Sequence, residues 1–124
     1  MFDALLRGLF WFALLFVSYN AVVPHDQVTA PAISDVALHA GAFFGLTGLL
    51  LAAYPSWPRW ACLCALLLYG AGIEVVQAQL PHRDAEWKDL GVDLAGIVVG
   101  AVCYHTFGSG WVRHARLWWL GNKP

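Results

Sequence analysis

Residues 73–96, IEVVQAQLPHRDAEWKDLGVDLAG, decide the architecture. Apolar sequence runs into this stretch and out of it, while Glu74, Gln77, Pro81, Arg83, Asp89 and Asp93 crowd together within it. Ionisable residues at membrane depth are costly, so they ordinarily face a protein interior or a watery site. Pro81 lacks an N–H and ends a helix, so the flanking runs read as two helices joined by a polar loop. Glu74 and Gln77, spaced i, i+3, close the first helix, and Asp89 and Asp93, spaced i, i+4, open the second. Both pairs therefore stand at one depth.

The rest of the chain fits that reading. Its 124 residues are 60% hydrophobic and 12% charged, half the roughly 25% of a soluble domain. Four apolar spans stand out, at about 5–23, 36–54, 60–80 and 90–107, each near the roughly 20 residues that cross about 30 Å of hydrocarbon as helix. Period-2 alternation is absent, which argues against a barrel. Pro24, Pro31, Pro55, Pro58 and Pro81 fall between spans. The first span has the apolar core of a signal peptide, but the following SYNAVVPHD offers no small-residue cleavage site, so retention is expected. The expected fold is an all-α membrane protein: one domain over 1–124, with four transmembrane helices in an antiparallel bundle.

An even number of spans puts both termini on one side. That side would hold Arg7, Arg59, Arg113, Arg116 and Lys123 against Asp3 alone, and the other side Arg83 and Lys88 against seven acids. The positive-inside rule places both termini in the cytoplasm and the acidic end outside. Trp57, Trp60, Trp87, Trp111, Trp118 and Trp119 fall near span ends, as interfacial anchors do. The tail 108–124 is basic and Trp-rich, fit either to lie along the inner interface or to extend as a cytoplasmic tail. Cys62, Cys64 and Cys103 are too few and too oddly spaced, even with His105 or His114, for a disulfide framework or a standard zinc pattern. No phosphate loop, internal repeat or nucleic-acid-binding basic stripe is present.

Asp35 and His39, spaced i, i+4 at the outer start of the second span behind an N-capping Ser34, join the two pairs already named. Three helices would thus bring polar pairs to the same end. On the fourth span Asp89, Asp93, Gly96, Gly100 and Cys103 share a face, so the acids point into protein along a small-residue groove. Gly70 lies one turn below Glu74. Gly41, Gly45 and Gly48 fall opposite Asp35 and His39, which predicts that the second helix has neighbours on two sides. Four carboxylates, Asp35, Glu74, Asp89 and Asp93, cannot stay together ionised and unpaired. Arg83 is the expected counter-ion, folding back over Glu74 or Asp89, with His39 donating to Asp35 or Asp93. A divalent cation, Mg²⁺, Ca²⁺ or Mn²⁺, would also relieve the repulsion, although no recognised ligand motif favours it. Serine chemistry has no support, since none of Ser18, Ser34, Ser56 and Ser109 sits in a nucleophile elbow.

The ordered set Asp35, His39, Glu74-x-x-Gln77, Pro81-x-Arg83, Asp89, Asp93 and Gly96 resembles the VanZ-like family of small bacterial membrane proteins, named after a teicoplanin-resistance protein. The resemblance spans about 34–100. It implies a place in the bacterial inner (cytoplasmic) membrane, a role at the cell envelope and, for some members, altered sensitivity to glycopeptide antibiotics; it implies no established reaction. Family members often carry Lys after the first Asp, where Val36 stands here, and Asn where Asp93 stands. The expected function is an outward-facing site that binds or modifies a lipid-linked or glycan-like molecule at the outer leaflet. Glu74 or Asp89 would accept a proton, Arg83 clamp an anion and His39 donate or orient. A small proton-coupled transporter, as monomer or dimer, and a non-catalytic membrane scaffold are the alternatives.

Overall fold

A computed structural model of the chain describes residues 1–27 and 34–122. Pro31 and Lys123 lie outside them. Every regular element among the described residues is helical: α1 (Phe2–Val22), a 3₁₀ turn (His25–Gln27), α2 (Asp35–Ala53), α3 (Arg59–Ala78), α4 (Trp87–Cys103), a π-helical turn (Tyr104–Gly108) and α5 (Ser109–Gly121).

Local chemistry sets these boundaries. Pro24 follows the end of α1 and Pro55 that of α2, while Pro58 stands at the N-cap of α3, where a missing N–H costs nothing. Ser34 Oγ accepts from Ala37 N at 3.3 Å and caps α2 as expected. α4, the π turn and α5 form one unbroken run of 35 residues, Trp87–Gly121. With α1, α2 and α3 this makes four helices long and apolar enough to cross a membrane.

The outer surface agrees with that. Leu5, Phe12, Leu15, Leu68, Val75, Val98, Val99 and Val102 are all exposed, a coat of large apolar side chains that a water-facing protein does not carry. The core is built mainly by α2, α3 and α4, from Phe43, Leu46, Leu50, Cys62, Leu66, Ile73 and Ile97. α1 adds only Phe10 to the buried set and lies against α2 and α3. Thr47, fully buried, returns its hydroxyl to Phe43 O at 2.6 Å, so it leaves no polar atom stranded in the core.

α2 and α4 meet most closely because two glycines on α4 have no side chain. A Cβ at Gly96 would stand 2.7 Å from Ala40 O, and one at Gly100 would stand 2.9 Å from Phe44 O. The glycines on α2 behave differently from the expectation: Gly41, Gly45 and Gly48 have nothing within 4 Å of a Cβ position. That face of α2 is open, because Phe43, Leu46, Thr47 and Leu50 already turn the helix towards α3 and α4.

The tail is helical rather than loose. The π turn carries one residue more than an α turn and so rotates the helix face that follows it. Beyond it Arg116 reaches Asp3 at 2.7 and 2.9 Å and Ala52 O at 3.4 Å. Arg7 donates to Ala53 O at 3.4 Å and lies over the Tyr54 ring at 5.2 Å. The basic end of the molecule is thus joined by arginines to the last carbonyls of α2.

Candidate functional site

The opposite end gathers the polar residues. Asp89 and Asp93 lie one turn apart on the buried face of α4, His39 projects from the second turn of α2, and Glu74 and Gln77 from the last turns of α3. Asp93 is 0% exposed and Glu74 2%. Asp93 Oδ1 accepts from His39 Nδ1 at 2.7 Å, and the other ring nitrogen is 3.9 Å from Asp89 Oδ2. His39 thus meets Asp93, one of the two partners expected for it, with Asp89 at its far side.

Glu74 lies at the amino end of α4. Its Oε2 accepts the backbone N–H of Glu86, the N-cap residue, at 3.0 Å, in a helix that has no side-chain cap of its own. A carboxylate there meets the positive end of the helix dipole. One oxygen on each of the two deepest acids, Glu74 Oε1 and Asp93 Oδ2, is buried with no hydrogen-bond partner among the described residues. Asp93 Oδ2 rests against Gly70, 2.7 Å from where a Cβ would be. The glycine below Glu74 therefore leaves room for the acid of the neighbouring helix.

Arg83 does not close over the carboxylates. It donates from Nε to Val23 O at 2.9 Å and from Nη2 to Asn20 O at 2.6 Å. Two neighbours act alike: Gln77 Nε2 donates to Ala21 O at 2.9 Å, and His82 Nε2 to Val22 O at 2.7 Å. The reason is general, since the last four carbonyls of a helix have no partner within it and in lipid must find one. The end of α1 draws these donors away from the acids. Lys88 pairs with Glu86 at the surface, so among the described residues His39 is the basic side chain paired with the buried acids.

A cavity of about 190 Å³ opens beside the cluster, between α1, α2 and α3. Asp35, His39, Gln77 and Arg83 give it polar groups, and Phe16, Val17, Leu38 and Phe43 give it an apolar wall. His39 belongs to both cavity and acid cluster. Asp35 is itself exposed. Of the seven sequence candidates, His39, Glu74, Asp89 and Asp93 form the cluster, whereas Asp35, Gln77 and Arg83 stand with His39 around the cavity.

α1 contributes to the site in a way its apolar sequence does not announce. Asn20 and Phe16 line the cavity, and Ser18 Oγ is 2.7 Å from Tyr69 Oη on α3. Ser18 and Asn20 were the available signal, two polar residues near the end of an otherwise apolar span. Chemically, a histidine held by a carboxylate at one nitrogen presents the other for proton exchange. Compared with known proteins, the chain matches no family model, no curated protein and no solved structure.

Proposed function

We propose that the chain is a VanZ-like protein of the bacterial cytoplasmic membrane, an antiparallel bundle with both termini inside and the acidic end outside, which binds a lipid-linked or glycan-like molecule at the outer leaflet. The observation that carries this reading is the cavity. Its wall of Phe16, Val17, Leu38 and Phe43 suits a hydrocarbon chain, while Asp35, His39, Gln77 and Arg83 beside it suit a polar head group. A guanidinium has five N–H donors and Arg83 uses two on the carbonyls of α1, which leaves donors for an anion such as a phosphate. If the bound molecule is also modified, the His39–Asp93 pair is the group that would move the proton.

Transport by a single chain is the weaker reading. Beyond Asp93 the groove on α4 is filled by the backbone of α2 at Gly96 and Gly100, and Leu46, Leu50, Leu66 and Ile97 close the interior with apolar side chains. A purely structural scaffold would have no need of the cavity.

The test is native mass spectrometry of the protein extracted with bacterial lipid, comparing wild type with Leu38→Trp, which fills the cavity, and Arg83→Ala. Wild type is expected to retain a lipid-linked anionic species that both variants lose. An identical lipid complement in wild type and Leu38→Trp would overturn the reading. Altered glycopeptide sensitivity on expression is the matching cellular phenotype.

A further inference from the structure

We infer that His39, Glu74 and Asp93 form a binding site for a first-row divalent transition cation. The proposal goes beyond the cavity's ligand and does not depend on it. One ligand atom from each residue lies within 4.8 Å of the other two. Ligand atoms bound to such an ion at about 2.0–2.2 Å stand roughly 3–4 Å apart, so only a small contraction is needed. One nitrogen and two carboxylate oxygens are donors that suit manganese or zinc better than the all-oxygen sites of calcium and magnesium.

Each carboxylate has one oxygen occupied and one unpartnered. Glu74 Oε2 is held by Glu86 N and Asp93 Oδ1 by His39, while Glu74 Oε1 and Asp93 Oδ2 have no hydrogen-bond partner among the described residues. The bond from Glu86 orients Glu74 as an outer partner orients a metal ligand. If Nδ1 of His39 released its proton to solvent and turned from Asp93 to the cation, with the remaining ring proton on Nε2, that N–H would point to Asp89 Oδ2, now 3.9 Å away. A ligating histidine commonly has such a carboxylate behind it. The charge balance also calls for a cation, because Arg83 is bonded to Asn20 and Val23, and Lys88 to Glu86.

The experiment is a titration of the full chain, chelator-treated and in detergent without added lipid, with Mn²⁺ followed by electron paramagnetic resonance. Wild type is expected to bind Mn²⁺ saturably, with a pulsed-resonance coupling to an imidazole nitrogen that disappears in His39→Ala. Glu74→Gln and Asp93→Asn should each weaken binding at least tenfold, a loss in the range that even outer-shell changes cause. Asp84→Asn, on the exposed loop, should bind as wild type does. Absence of saturable binding in wild type, or bound Mn²⁺ without nitrogen coupling, would overturn the site whether or not any variant folds. Nitrogen-coupled Mn²⁺ in a protein that retains no lipid-linked species would keep the metal site and remove only the cavity reading.

Discussion

The ring of His39 bridges two acids on another helix, 2.7 Å from Asp93 Oδ1 and 3.9 Å from Asp89 Oδ2, and so ties α2 to α4 at the level where polar end gives way to apolar core. His39→Ala leaves a fully buried carboxylate without that partner, and the loss of a hydrogen bond to a charged group costs about 1.5–3 kcal/mol. Asp93→Asn keeps an oxygen for Nδ1–H and removes a charge, so in chelator it should melt at or above wild type. Thermal melting in detergent measures both. An equal loss in the two variants would mean that the charge, rather than the hydrogen bond, joins the helices.

Arg83→Ala should loosen the end of α1. It removes two bonds from a charged donor to Val23 O and Asn20 O, each of the class worth about 1.5–3 kcal/mol. The expected result is a lower melting temperature with faster amide exchange in the last turn of α1. Lys88→Ala, which removes a surface pair with Glu86, should be indistinguishable from wild type. Unchanged exchange in α1 on loss of Arg83 would show that other donors serve those carbonyls.

Two sets of glycines should respond in opposite ways to alanine. At Gly96 the added Cβ would meet Ala40 O at 2.7 Å, so α2 and α4 must part, a change of the overpacking kind that costs about 1–3 kcal/mol. At Gly41 and Gly45 nothing lies within 4 Å and alanine is the better helix former, so melting should hold or rise slightly. A loss at Gly41 as large as that at Gly96 would place another copy of the chain on the open face.

Orientation has a direct readout. In a variant lacking Cys62, Cys64 and Cys103, a cysteine replacing Asp84 should react with a membrane-impermeant maleimide in intact cells, and one replacing Arg113 only after permeabilisation. The reverse pattern would put the acidic end in the cytoplasm and end the outer-leaflet reading.

Much of this molecule could be read from residue order. Spacing along one helix showed that Asp89, Asp93, Gly96 and Gly100 share a face, and Ser34 advertised its cap. Spacing says little about what stands opposite. The charge of Arg83 points to carboxylates because side-chain charge is visible in a sequence; the acceptors it uses are backbone carbonyls, which every residue has and no residue type announces. The same blindness hid the role of α1. Gly41, Gly45 and Gly48 looked like a contact face because small residues often mark one, but the bulky Phe43, Leu46 and Leu50 set which side of α2 turns inward. The tail reads from sequence as an interfacial or cytoplasmic segment; its pairing of Arg116 with Asp3 joins opposite ends of the chain, which spacing along one helix does not show.

The missing side chain at Gly70 has a consequence for how such a chain can change over generations. Asp93 Oδ2 stands 2.7 Å from the place a Cβ would take. A larger residue at position 70 therefore requires the carboxyl of Asp93 to shift, and an acid at 93 favours glycine at 70. Across descendants of this sequence the two positions should drift as a single heritable unit, although 22 residues and a loop separate them.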